Sequence, residues 1–341
     1  MIIGWIQNHL HGKNMRDFFK LIRWQNLLMI ILTMILMRYA VLAPLIGKIG
    51  VILIKGSGEE IPMTLQFPWY DFVLLVLATV FITAGGYVIN DYFDINTDLI
   101  NKGKVIVGTK ISRRYAILWH SVFNILGVAA GFYVSYKAGY IWLGSMFLVT
   151  SGLLYFYSAS YKRQFLIGNI IVAILTAMVP MLVVFYEWPA LYQYYAVNAI
   201  KLPEINFIIY WVGGFALFAF LINLIREIVK DIEDFEGDLA YGRNTVPVVI
   251  GVVSSKVVSI CLIIVTIILL YLTWHFYISD IITLSYLTIF VVLPLLVVIY
   301  KLAKSKGKKQ LHNASSFIKI VMITGVLYAL VVKVILTWNL F

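Results

Sequence analysis

The sequence predicts an all-α, polytopic membrane protein: nine transmembrane helices in a single domain spanning residues 1–341. Three observations carry that prediction. Hydrophobic residues fill 62% of the 341 positions and charged residues 13%, whereas soluble globular domains carry about 25% charge. Apolar stretches of roughly 20 residues, the length that crosses a hydrocarbon core, recur along the chain. Lys and Arg gather in alternate connections, which is the asymmetry that orients a membrane protein.

Nine stretches meet the length requirement: 24–46, 70–90, 115–135, 139–158, 165–186, 206–226, 257–277, 281–300 and 316–336. Lipid offers no partner to backbone N–H and C=O groups, so each must be helical. The segment from Met1 to Arg16 lacks the charged and apolar regions of a cleaved signal and is expected to lie at the interface. Pro180 and Pro294 fall inside spans and predict kinks. Gly85-Gly86 predicts close helix packing in the second span. Arg38 and Lys333 are read as side chains that snorkel to the interface. Cys261 is read as a buried structural thiol, and His120 and His275, without partners at metal-ligand spacing, as structural. The long connection 47–69 carries no pattern that assigns it a structure.

Lys13, Arg16, Lys20 and Arg23 precede the first span, Lys102, Lys104 and Lys110 follow the second, Lys162 and Arg163 follow the fourth, and a lysine-rich run from Lys301 to Lys309 follows the eighth. The other side has only Lys48, Lys55, Lys137 and Lys201. The N-terminus and even-numbered connections are therefore expected on the cytoplasmic side. A net charge of +11 spread over short loops suits anionic lipid headgroups and argues against nucleic acid. Nothing in the sequence names a protein partner.

The sixteen acidic residues carry the chemical signal, because nine of them sit in two short segments. Asp91, Asp94 and Asp98 end the second span; Asp231, Asp234 and Asp238 end the sixth, each 140 residues later with identical D-x-x-D-x-x-x-D spacing. On a helix this spacing lines three carboxylates along one face, where they repel unless a cation lies between them. Carboxylate oxygens are hard ligands suited to Mg²⁺, which completes its shell with water and substrate phosphate. The pattern predicts a diphosphate clamped through metal ions in a central cavity open to the cytoplasmic side.

At these residues the chain resembles the UbiA superfamily of intramembrane prenyltransferases. Asn90 to Asp98 match its N-D-x-x-D-x-x-x-D, and Asp231 to Asp238 its second Asp motif. Arg23-Trp24-Gln25-Asn26 resembles the R-x-x-N of its first helix, Tyr155 to Arg163 its Y-x-Y-S-x-x-x-K-R, and Gly242 to Pro247 its G-x-x-T-L/V-P. The run Arg226-Glu227-Ile228-Val229-Lys230-Asp231-Ile232-Glu233-Asp234 is similar to the R-E-I-x-K-D-I-E-D of geranylgeranylglycerol-phosphate geranylgeranyltransferases. One departure stands out. Asn101-Lys102-Gly103-Lys104-Val105 lacks both prolines of the usual N-R/K-P-x-R-P, which predicts a more flexible loop.

The resemblance implies transfer of a polyprenyl group, best matched to geranylgeranyl, from its diphosphate to a lipophilic acceptor, best matched to geranylgeranylglycerol phosphate. It places Mg²⁺ on Asp91, Asp94, Asp98, Asp231, Asp234 and Asp238. Asn26 and Asn90 would face the diphosphate, Arg23, Lys162, Arg163 and Lys230 would donate to its oxygens, and Arg226 is a further substrate-binding candidate. Tyr155 and Tyr157, with Phe93, would present ring faces to an allylic cation. Lys102, Lys104 and Arg243 are candidates for an acceptor phosphate.

Three rivals are weaker. An aromatic prenyltransferase of quinone biosynthesis would share the motifs and differ in acceptor. A CDP-alcohol phosphotransferase needs D-G-x-x-A-R, which neither cluster continues into. A cation channel or transporter keeps its carboxylates near mid-membrane, not at one face beside basic loops. Asp91→Ala or Asp234→Ala should abolish turnover while the protein remains inserted and folded, and EDTA should silence the native enzyme. Near-normal activity of either variant in saturating Mg²⁺ would remove that residue from the site.

Overall fold

Every apolar stretch of the sequence becomes a helix, and several helices run past the limits set by hydrophobicity. The computed structural model describes residues 12–49, 51–53, 60–103, 105–198 and 205–338. In chain order the helices are α1 (Gly12–Leu21), α2 (Trp24–Lys48), α3 (Trp69–Phe93), the short α4 (Ile95–Lys102), α5 (Arg113–Lys137), α6 (Ile141–Ala159), α7 (Ile167–Val197), α8 (Phe207–Glu233), the short α9 (Phe235–Ala240) and α10 (Val246–Ile250), α11 (Val252–Ile278), α12 (Ile281–Lys304) and α13 (Lys308–Thr337). Among the described residues nine of these are long and apolar enough to cross a membrane: α2, α3, α5 to α8 and α11 to α13. The ends of α7 and α8 and the start of α13 lie several residues beyond the apolar stretches. Extending a formed helix adds one hydrogen bond for each residue fixed, so polar interfacial residues join at little cost.

The described residues fall into two compact units, between which the chain passes repeatedly. The first takes residues up to Ile31, Tyr70–Gln164 and Glu236–Arg243. Its core joins Leu21 of α1, Ile22 of the turn that follows, Leu27 of α2, Ala84 and Val88 of α3, Ile95 of α4, and Ala116 and Phe123 of α5. The glycine pair in α3 permits this closeness. A Cβ at Gly85 would fall 2.7 Å from Asn124 Nδ2, and one at Gly86 would fall 2.8 Å from Leu154 Cδ1.

The second unit takes Leu32–Trp69, Phe165–Phe235 and Asn244–Phe341. Within it α8 packs along α7, α11 and α13, and α12 packs along α13. Connection 47–69 contains a small antiparallel ribbon, β1 (Val51–Leu53) against β2 (Glu60–Pro62), with Val51 opposite Pro62. Pro180 and Pro189 both sit inside the uninterrupted α7, while Pro294 follows a π-helical turn in α12, Thr288–Val292. There the Leu293 amide reaches back to Thr288 O, the wider spacing of a π turn.

Two sequence expectations need correction. Arg38 does not snorkel. It lies buried in a π-helical turn of α2, Met37–Leu42, donates to Phe67 O and sits 3.7 Å from Glu187 Oε2 of α7. Glu187 Oε1 accepts from the backbone amides of Gln66 at 2.6 Å and Phe67 at 3.0 Å. A charge inside a span is expensive unless paired, and the partner was hidden far along the chain. Cys261 is exposed on α11 rather than buried.

Arg38→Met alone should leave Glu187 as an uncompensated buried charge and lower stability by about 3–5 kcal/mol. The double variant Arg38→Met/Glu187→Gln keeps an acceptor for the two amides and should recover much of that loss. Thermal unfolding in detergent reads both.

Candidate active site

The first Asp motif sits where α3 gives way to α4. Asp94 holds the junction with φ −93° and ψ 1°; its amide donates to Asn90 O at 3.0 Å, and its own carbonyl accepts from the Asp98 amide at 2.8 Å. The two amide hydrogen bonds keep the i→i−4 pattern across the break between the helices.

Each aspartate described in detail has a partner. Asp94 is buried, and its Oδ1 accepts from Lys162 Nζ at 2.6 Å and from Arg243 Nη2 at 2.6 Å. Arg243 also donates to Thr97 Oγ1 at 2.6 Å and, through Nη1, to Asp238 Oδ1 at 3.3 Å. One guanidinium therefore bridges an aspartate of the first motif to an aspartate of the second. Lys162 further donates to Asn90 Oδ1 at 3.1 Å. Gly237, inside the second motif, donates its amide to Asn101 Oδ1 at 3.1 Å, with no room there for a Cβ.

The charges adjust accordingly. Burial opposes ionisation of Asp94, but the Lys162 and Arg243 cations outweigh it and hold the carboxyl below its usual range. Burial brings the Lys162 ammonium down to about 8, with Asp94 offsetting part of that and Arg243 adding repulsion. For Arg243, burial is outweighed by Asp94 and Asp238, which keep it firmly protonated. Arg23 reaches Asp91 Oδ1 at 2.8 Å and lies over the Tyr87 ring, 4.9 Å from its centroid. It does so from a left-handed backbone, φ 50°, a conformation that costs a non-glycine residue about 1–2 kcal/mol. Such strain is concentrated at functional positions.

In the second unit, Asp231 Oδ2 accepts from Asn169 Nδ2 of α7 at 2.7 Å. Glu227 accepts from Arg226 Nη1 at 3.1 Å and from Lys230 Nζ at 3.0 and 2.9 Å. Glu233 meets His312 Nδ1 of α13 at 2.9 Å.

Several predicted residues stand elsewhere. Arg243, expected at an acceptor phosphate, is committed to Asp94, Thr97 and Asp238. Tyr155 is exposed and meets Phe93 edge-on, with ring centroids 5.8 Å apart. Tyr157 and Asn26 are half-buried, and Arg163 is exposed. Lys104 and the side chain of Lys102 lie outside the described residues. Sequence reasoning missed Asn169, Thr97, Asn101 and Tyr87, and gave Glu227 no role. The available signal was polarity within an apolar frame: Asn169 is a lone amide near the start of a span.

These features define an integral, multi-pass membrane protein with a buried charge network that joins Asp94 to Asp238 through Arg243. Residues 62–323 match the UbiA prenyltransferase family, and the chain belongs to that family as a membrane-embedded prenyltransferase. It is 30% identical over 300 residues to "Digeranylgeranylglyceryl phosphate synthase" of Thermococcus kodakarensis, covering 86% of this chain and 94% of that one. A solved structure of a digeranylgeranylglyceryl phosphate synthase shares the fold with TM-score 0.57 and 24% identity, over 93% of this chain and 99% of that chain. A UbiA homologue from Archaeoglobus fulgidus, solved with GPP and Mg²⁺, shares it with TM-score 0.51 and 16% identity, over 92% and 99%.

Arg243→Met should lower kcat/KM by about two orders of magnitude, since it removes charge-assisted bonds worth about 1.5–3 kcal/mol each. Arg243→Lys should lose roughly tenfold, because an ammonium cannot serve both carboxylates as a planar fork does. Full activity in Arg243→Met would show the bridge to be dispensable.

Proposed function

We propose that the chain transfers a geranylgeranyl group from its diphosphate to the glycerol hydroxyl of geranylgeranylglyceryl phosphate. The bridge from Asp94 through Arg243 to Asp238 carries this reading, because it joins the two motifs that a diphosphate would need at once. The product named for the Thermococcus kodakarensis relative supports the choice of acceptor.

Mg²⁺ fits the residues present. Both motifs offer carboxylate oxygens, with no thiol or imidazole among them. Among the described residues no three acidic, His or Cys side chains converge into a ready cage. Mg²⁺ requires none, since it takes one or two carboxylates and fills its shell with water and phosphate. Asp91, Asp94, Asp98, Asp231, Asp234 and Asp238 would hold it, and when bound it supplies charge withdrawal from the leaving diphosphate.

The chain's own cations do the remaining electrostatic work. Arg23 and Lys162 pair with motif carboxylates, which supports a role for them as donors to phosphate oxygens. Asn169 orients Asp231, and Arg243 fixes Asp94 and Asp238. In the transfer, the bond between carbon 1 and the diphosphate oxygen breaks, and the acceptor oxygen bonds to carbon 1. Diphosphate leaves with the electron pair, and the hydroxyl proton passes to a carboxylate or phosphate oxygen. The cation distribution along the chain supports a cytoplasmic mouth for this site.

Purified protein supplied with geranylgeranyl diphosphate should prenylate geranylgeranylglyceryl phosphate and leave an aromatic quinone precursor unchanged, as read by chromatography of the products. EDTA should stop the reaction and added Mg²⁺ restore it. Prenylation of the aromatic ring alone would overturn the choice of acceptor.

A further inference from the structure

Helix α8 carries a polar stripe that the aspartates do not explain. Asn223, Arg226, Glu227 and Lys230 follow i, i+3, i+4, i+7 spacing and therefore share one face of the helix. The stripe begins beside Asp231 and runs about 10 Å along the axis into the span. Asn223 and Glu227 are 4% and 6% exposed.

Glu227 accepts from both of its cations, Lys230 and Arg226 Nη1. Arg226 Nε and Asn223 Nδ2 are buried and have no hydrogen-bond partner among the described residues. A buried donor left unpaired costs about 1–3 kcal/mol, and folded proteins keep few of them. Two such donors, one turn apart and next to the cations of Arg226 and Lys230, suit an anion with several oxygens. A phosphate monoester supplies three, and charge-assisted bonds from Arg and Lys are its usual partners. Ile222 and Leu224 flank Asn223 in the apolar part of the helix and are buried, which suits an anion carried on a lipid.

We propose that Asn223, Arg226 and Lys230, with Glu227 holding the two cations in place, seat the phosphate of the lipid acceptor. The assignment rests on the acceptor proposed above. It moves acceptor recognition from the loop after the first motif to the helix before the second. The diphosphate of the prenyl donor is the other source of the same chemistry.

The test uses full-length protein in lipid nanodiscs, with steady-state kinetics and thermal unfolding. Wild type turning over geranylgeranylglyceryl phosphate supports the acceptor itself; failure there overturns that reading and this seat together. With wild type active, Asn223→Leu should raise KM for the phosphorylated acceptor about tenfold. KM for geranylgeranyl diphosphate and kcat should stay within about twofold, the signature of lost uniform binding of one substrate. Without ligand, Asn223→Leu should unfold no earlier than wild type, since it removes an unpaired donor. The rise in unfolding temperature on adding acceptor should shrink. Arg226→Lys, which keeps the pairing with Glu227 but loses Nε, should show the same KM pattern and serves if Asn223→Leu fails to fold. A rise in KM for the diphosphate instead would assign the stripe to the donor. No change in either KM, with acceptor stabilisation intact, would overturn the seat altogether.

Discussion

Pairing of charge in a medium that cannot solvate it is the constraint on which the structure depends. The chain places Asp94, Asp238, Glu227, Glu187 and Arg38 in buried positions, where an unpaired ion costs several kcal/mol even after relaxation. Each therefore has an opposite charge within reach: Arg243 and Lys162 for Asp94, Arg243 for Asp238, Lys230 and Arg226 for Glu227, and Arg38 for Glu187. The consequence at the site is preorganisation. Lys162 and Arg243 fix Asp94, and Arg243 also fixes Asp238, through ion pairs already formed within the protein.

The two motifs have identical spacing and unlike surroundings. Asp91 faces a guanidinium, whereas Asp231 faces the neutral amide of Asn169. A cation holds a carboxylate strongly but also competes with any metal for it, whereas an amide orients the group without adding charge. The repeat is thus symmetric in sequence and asymmetric in electrostatics.

Much of the fold was legible because lipid imposes a coarse rule: length and apolarity alone mark a span. The polar ends of α7, α8 and α13 escaped that rule, since hydrophobicity is silent on where helical hydrogen bonding stops. The β1–β2 ribbon escaped for the opposite reason, being short and flanked by glycines and charges that read as loop. At the site, the aspartates announced themselves by repetition. Asn169 did not, because one amide in an apolar run has no spacing to read, and its partner Asp231 is 62 residues away. Arg38 was misread on the same ground: a lone arginine in a span looks like a snorkelling side chain until Glu187 is brought beside it.

The bridge made by Arg243 also bears on how the protein is made. Asp94 and Arg243 are separated by 149 positions, and the segment Glu236–Arg243 belongs to the first unit although much of the second is synthesised before it. While the ribosome is still extending the chain through α7 and α8, Asp94 has Lys162 as its cation and Asp238 does not yet exist. The first unit therefore cannot finish its charge network until about seven-tenths of the polypeptide has emerged. Nascent chains shorter than that carry an incompletely neutralised acidic cluster at the membrane surface, where water can still solvate it, and its burial is a late event in biogenesis.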